Sequence, residues 1–239
     1  MILYGRNPVR EALRGRRAGS VSEVWATAGA AREPWLRDVQ MRAVAADEIE
    51  RRCGSSAHQG LCADAGAYHY ASTDDLLRGE NPLLVALDQI QDPQNLGSIC
   101  RSAECAGAAG VVIPERRAAE VTPAVCKASA GAVEHLPVAR VRNLADFLAD
   151  ARRAGCWCYG ASAEGADGRV PVAYDAPDYS GAGVVLVLGS EGRGLRPRVA
   201  GACDELIALP LLGRIESLGV SAAASAVLYE ILQSRGRKA

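Results

Sequence analysis

The chain is almost without lysine. Only Lys127 and Lys238 carry an ammonium group among 27 basic residues, so nearly all of the positive charge is guanidinium. That planar fork suits bidentate contact with phosphate or carboxylate. A formal net charge of −1 excludes binding to polyanions through bulk positive charge and leaves a local basic patch as the route to nucleic acid. Long apolar runs are missing too: stretches such as VVLVL at 184–188 fall far short of the ~20 residues that span a bilayer, so no membrane segment is expected. The N-terminus MILYGRNPVREALRGRR has arginines where a secretory leader needs an apolar stretch, which predicts a cytoplasmic protein. The eight cysteines include no C-x-x-C pair and no histidine at zinc-ligand spacing. No metal site is expected, and the thiols read as small, reduced, buried residues.

What is present supports an ordinary core: 239 residues, 49% of them hydrophobic, suffice for one large or two modest domains. Residues 1–70 mix short apolar runs with helical patterns, including a helix from about Pro8 to Arg17, a strand around VSEVWAT and a helix near Trp35. They read as a small α/β unit. The polar stretch 71–81, with Gly79 just before Pro82, reads as a linker holding one helical turn. From residue 82 to 239, strands and helices alternate. The strands are LLVALD, GVVIP, LPVARV, CWCYGAS, GVVLVLG and ELIALP; the helices begin near Asn95 and cover about 122–131, NLADFLADARRAG, 196–202 and Ser221–Gln233. Continuously apolar strands alternating with helices imply a parallel sheet covered on both faces, with ligands at the strand C-termini. SRGRKA at the end reads as a frayed basic tail.

Four stretches could carry chemistry. In the helix from Asn95, the spacing puts Gly97, Arg101, Glu104 and Ala108 on one stripe. Arg101 then either pairs with Glu104 or meets a ligand, and Asn95 is either a cap or a contact residue. In VVLVLGSEGRGLRP, a buried strand runs into Gly189, Gly192 and Gly194, either a plain turn or a ligand loop. Glu191 at its centre and the lack of a following lysine exclude a Walker loop and favour a cationic or hydroxyl-bearing ligand. In ELIALPLLGRIESLGVSAAASAVLYEIL, Pro210 and Gly213 end a strand, and Ser217 or Ser221 can cap a small-residue helix. Near the N-terminus, Arg6, Arg10, Arg14 and Arg17 recur along one helical face, either solvated or set against phosphates.

Together these stretches resemble the SpoU (TrmH) family of RNA ribose 2′-O-methyltransferases, in the knotted SPOUT superfamily, over nearly the whole chain. Its three motifs look like the segment Asn95–Arg101, LGSEGRGL and LPLLGRIESLGVSAAAS. YGRNPVREAL and HQGLCA are similar to the ribosomal-protein-like N-terminal domain of the branch that methylates a guanosine of 23S ribosomal RNA. The resemblance implies a deep trefoil knot in the C-terminal domain, S-adenosylmethionine held at Gly189, Leu209 and Leu218, and catalysis by Asn95, Arg101, Glu191 and Ser217. It also implies an RNA partner, ribosomal RNA or a ribosome precursor before transfer RNA, contacted by Arg6, Arg10 and Arg14, and a homodimer with Arg101 beside the partner chain.

One departure stands out. The family's third motif reads Ser-Leu-Asn, and here it is Ser217-Leu218-Gly219. Glycine has no amide to offer a substrate, yet it shares asparagine's tolerance of left-handed backbone, so the loop is expected to keep its shape and the enzyme its activity. The rival expectations are an RNA-binding protein that has lost catalysis on the same scaffold, or an unrelated α/β phosphate-binding enzyme built on the glycine turn.

Overall fold

Two sheets account for the strands in the computed structural model, which describes residues 1–236 apart from 167 and 216. The first is built from β1 (Ile2–Tyr4), α1 (Arg6–Ala12), β2 (Glu23–Ala26), β3 (Arg42–Ala43), α2 (Ala46–Cys53) and β4 (Leu61–Asp64), with strand order β1-β4-β2-β3. α1 stops well short of Arg17. Gly15, a poor helix former, bends the chain so closely that a Cβ there would lie 2.5 Å from the Glu134 carbonyl oxygen. The helix expected near Trp35 is a single 3₁₀ turn, Pro34–Leu36. The true helix of this region, α2, is mostly charged and buries Ile49 alone, so it lacks the several apolar residues by which a helix is read.

The stretch after β4 does not hang free. Ala71 forms a bridge to Ala139, and α3 (Thr73–Leu77) buries Leu76 against Gly110, where an added Cβ would come within 2.7 Å of a leucine methyl.

The second sheet carries β5 (Leu83–Asp88), α4 (Pro93–Cys105), β6 (Gly110–Pro114), α5 (Pro123–Ala128), β7 (Val138–Val141), α6 (Leu144–Arg153), β8 (Cys156–Ala161), β9 (Val172–Ala173), β10 (Gly183–Gly189), α7 (Pro197–Gly201), β11 (Glu205–Ala208) and α8 (Val220–Gly236). Its order is β7-β6-β5-β10-β8-β11-β9, and every neighbouring pair is parallel, as the apolar strands predicted. Side chains alternate between two cores. Leu83, Val85 and Leu87 face α4, α5 and α8, while Leu84 and Ala86 face α6 and α7. Burial on both faces explains why these strands read as unbroken apolar runs.

The first core does not end at the second sheet. Leu3, Val9, Val24 and Leu61 belong to the same apolar cluster as Val85, Leu96 and Val111. A buried ion pair crosses this junction: Arg17 donates to both Glu134 carboxylate oxygens, at 2.9 and 2.5 Å, and its guanidinium lies 5.2 Å from the Tyr68 ring centre. Six of the eight cysteines are buried, and burial pushes the Cys100 and Cys126 thiols up to about 12. Of the basic tail, Ser234 to Gly236 belong to α8, and Arg235 donates to the carbonyls of Asn81, Tyr179 and Ala182; Arg237, Lys238 and Ala239 lie outside the described residues. No helix among the described residues is long and apolar enough to cross a membrane.

Candidate active site

A parallel sheet opens the C-terminal ends of its strands along one edge. Here the loops after β8, β10 and β11, with the first turn of α8, surround a cavity of about 410 Å³. That volume falls in the range of ~300–1,000 Å³ usual for small-molecule sites.

The loop after β10 is a tight return. Ser190 N donates to Gly194 O at 3.1 Å and Gly194 N donates to Ser190 O at 2.9 Å. Gly192 and Gly194 take φ of +77° and +63°, values that glycine adopts without a Cβ penalty. Gly189 has no room for a side chain, since an added Cβ would lie 2.1 Å from the Gly194 carbonyl carbon. The backbone thus folds onto the strand end and forms a wall of main-chain groups. Asp88 fastens the far end of the loop. Its fully buried carboxylate accepts from Arg196 N at 2.9 Å and Arg196 Nε at 2.7 Å. The sequence reading missed Asp88 and Arg196; the available signal was an acid closing an otherwise apolar strand.

The loop after β11 brings Leu209, Ser217 and Leu218 to the same cavity. Ser217 Oγ accepts from Gly219 N at 3.1 Å, and Gly219 takes φ of +83°, the left-handed conformation expected of it. Leu212, Ile215 and Leu218 of this loop are exposed, Leu212 at 98%.

α4 supplies the third component. Asp92 caps it by accepting from Gln94 N, and Pro93 occupies its first turn, so the helix starts before Asn95. Asn95 Nδ2 donates to Glu191 Oε1 at 3.1 Å, joining residues 96 positions apart. Arg101 is not part of that contact. Six residues further on, it stands ~9 Å along the helix axis and on another face. It is exposed, and the expected pair with Glu104 does not form; Ala108 lies beyond the helix end at Cys105.

The N-terminal arginines do not share one face. Arg6 pairs with Glu33 and Arg10 with Glu11, both at 2.6 Å, Arg14 is exposed beyond the helix, and Arg17 is buried against Glu134.

Residues 82–229 match the family model described as the SpoU rRNA Methylase family, and residues 2–71 match that described as RNA 2′-O ribose methyltransferase substrate binding. YacO of Bacillus subtilis (strain 168), named as a TrmH family tRNA/rRNA methyltransferase, is 43% identical over 74% of this chain and 71% of its own length. A protein similarly named, from Staphylococcus haemolyticus (strain JCSC1435), is 34% identical over 98% of this chain and 96% of its own. Among solved structures, the SpoU methyltransferase AviRb from Streptomyces viridochromogenes in complex with AdoMet aligns with a TM-score of 0.79 at 26% identity, covering 99% of this chain and 91% of that one.

Proposed function

The chain belongs to the SpoU rRNA methylase family, and from that membership and the site's geometry we propose that it methylates a ribose 2′-hydroxyl of RNA, at a guanosine of 23S ribosomal RNA, using S-adenosylmethionine. The observation that carries the reading is the Asn95–Glu191 hydrogen bond, because it ties α4 to the glycine turn at the mouth of the cavity. The residues present fit the cofactor. The cavity has the required size, and its walls at Gly189, Leu209 and Leu218 offer backbone groups and apolar surface without a blocking side chain. When bound, S-adenosylmethionine supplies an electrophilic methyl group on a sulfonium.

The chain's own residues then have distinct tasks. A ribose hydroxyl is a weak nucleophile, so the developing alkoxide must be stabilised while it is held in line for attack. Arg101 does this as a cation, directly or through an RNA phosphate; a guanidinium, with a pKa above ~12, is no base at neutral pH. Asn95 and Glu191 hold each other and orient the ribose. Ser217 shapes the turn that presents Leu218.

Because Arg101 stands apart from Asn95 and Glu191 on its helix, we assign it to the site of a second copy in a homodimer. The apolar side chains of Tyr229 and Leu232, both exposed on α8, support such a contact. The trefoil knot belongs to the same proposal, and the packing of α8 against α4, where Ser225 Oγ lies 2.7 Å from Ser102 Oγ, is compatible with it. The domain roles follow, with residues 1–70 gripping RNA and 82–239 catalysing.

Incubating the protein with labelled S-adenosylmethionine and 23S ribosomal RNA, then digesting to nucleosides, should give 2′-O-methylguanosine. Label on a base, or on no nucleoside, overturns the reading. A second reading, an RNA-binding protein with crippled catalysis, is favoured only by Gly219. The left-handed φ of that residue argues that the loop keeps its working shape. Gly219→Asn should therefore change turnover by less than about tenfold, and a rise of a hundredfold or more would establish the crippled protein instead.

A further inference from the structure

We propose that Arg116, Arg117 and Arg142 form a phosphate-binding row beside the active site, holding the RNA backbone that flanks the target nucleotide. The inference rests on the RNA substrate proposed above and names a contact for it.

Strand register places the row. Gly189 faces Asp88, Ala86 faces Val112, and Pro114 faces Val141, so the loops after β10, β5, β6 and β7 leave the sheet at one level. With strands ~4.8 Å apart, the ends of β6 and β7 lie roughly 5 and 10 Å beyond that of β5, whose loop leads into Asn95. The loop carrying Arg116 and Arg117 is tied to the loop after β5, because Ala119 N donates to Ile90 O at 2.8 Å. Arg117 sits at φ +58°, a left-handed conformation that side-chain-bearing residues rarely adopt and that a turn keeps only when its surroundings enforce it.

These arginines are left without a counter-charge: all three are exposed, and none has an ion-pair partner among the described residues. At the opposite edge of the sheet, Arg152 meets Asp204 at 3.5 Å and Arg153 pairs with Asp150. Even Arg140, on β7 itself, is committed: it meets Glu120 at 3.3 Å, donates to the Glu115 carbonyl at 3.3 Å and lies over the Tyr70 ring. The three remaining guanidiniums outnumber the two carboxylates of the loops after β5 and β6 that meet no cation among the described residues, Asp92 and Glu115. An exposed guanidinium surplus lined up along a strand edge is complementary to a phosphodiester chain.

The test is the salt dependence of binding to a short labelled single-stranded RNA, read by fluorescence anisotropy. The triple variant R116Q/R117Q/R142Q should lower the slope of log K against log salt by roughly 0.7 for each phosphate that is no longer neutralised. Melting temperature and S-adenosylmethionine affinity by calorimetry should stay at wild-type values, and KM for 23S ribosomal RNA should rise with kcat held. R153Q, at the far edge, should leave the slope alone. An unchanged slope in the triple variant, or an equal per-charge decrease in R153Q, overturns the row while leaving the methyltransferase reading intact. A wild-type protein that binds no RNA overturns both.

Discussion

Two arginine-rich regions look alike in the sequence and differ in the fold. Around α1, Arg6, Arg10 and Arg17 each meet a carboxylate, and Arg17 is sealed between the two sheets. In the second domain, Arg101 on α4 and Arg116, Arg117 and Arg142 at the C-terminal edge of the sheet have no ion-pair partner among the described residues. The spacing of arginines thus tells little about their task; the availability of carboxylates decides it. Satisfied guanidiniums hold the fold together, and unsatisfied ones remain available to a ligand.

The largest effect should come from breaking the satisfied side of this contrast. Glu134→Ala leaves Arg17 buried without a counter-charge, which should cost about 3–5 kcal/mol in chemical denaturation. Replacing both partners, Arg17→Met with Glu134→Leu, should recover most of it. A loss under about 1 kcal/mol in the single variant would show that the junction is wet and the pair dispensable.

Next comes the unsatisfied side. Arg101→Ala should reduce kcat by about 10²–10³ while the melting temperature stays within a degree or so of wild type. Retained turnover would remove Arg101 from the mechanism. A smaller effect sharpens the boundary between the regions. Because Arg10 is occupied by Glu11 and Arg14 is not, Arg14→Glu should weaken RNA binding and lower its salt slope by about 0.7, with Arg10→Glu changing it less. Equal slopes for both would erase the distinction drawn from pairing.

The smallest effect is on acid stability. Asp64 accepts from Gly66 N and from the N-terminal ammonium, and these bonds hold its carboxyl below the usual carboxylate range. A depressed folded pKa contributes stability at neutral pH that is lost as pH falls through it. Asp64→Asn should therefore cost under about 1 kcal/mol at pH 7, because the side chain is 40% exposed, and progressively less as pH falls through the depressed pKa. A cost that does not shrink on acidification would locate the effect in packing.

Much of the fold was legible because burial on two faces leaves a plain mark. β5, β6 and β10 are continuous apolar runs, and each was placed to within a residue or two. α1 was misjudged because what ends it is the close approach of Gly15 to Glu134, a residue over a hundred positions away. α2 was missed because its eight residues are mostly charged and offer a single fully buried anchor, Ile49, in place of an apolar stripe. In the site, glycine at 219 already announced a left-handed turn, since few other residues tolerate one. Asp88 gave a weaker notice, an acid closing an apolar strand, and its buried carboxylate gains its meaning only beside Arg196.

By itself the sequence determined the local conformations and the two-faced burial of the central strands, because backbone preference and side-chain hydrophobicity act over a few residues. Which charges would be consumed by partners, and which polar groups would meet, was decided only by the tertiary structure. Asn95 and Glu191 touch, and Arg101 stands free, because strand register and loop packing bring distant segments within hydrogen-bond range, and no short-range propensity encodes that distance.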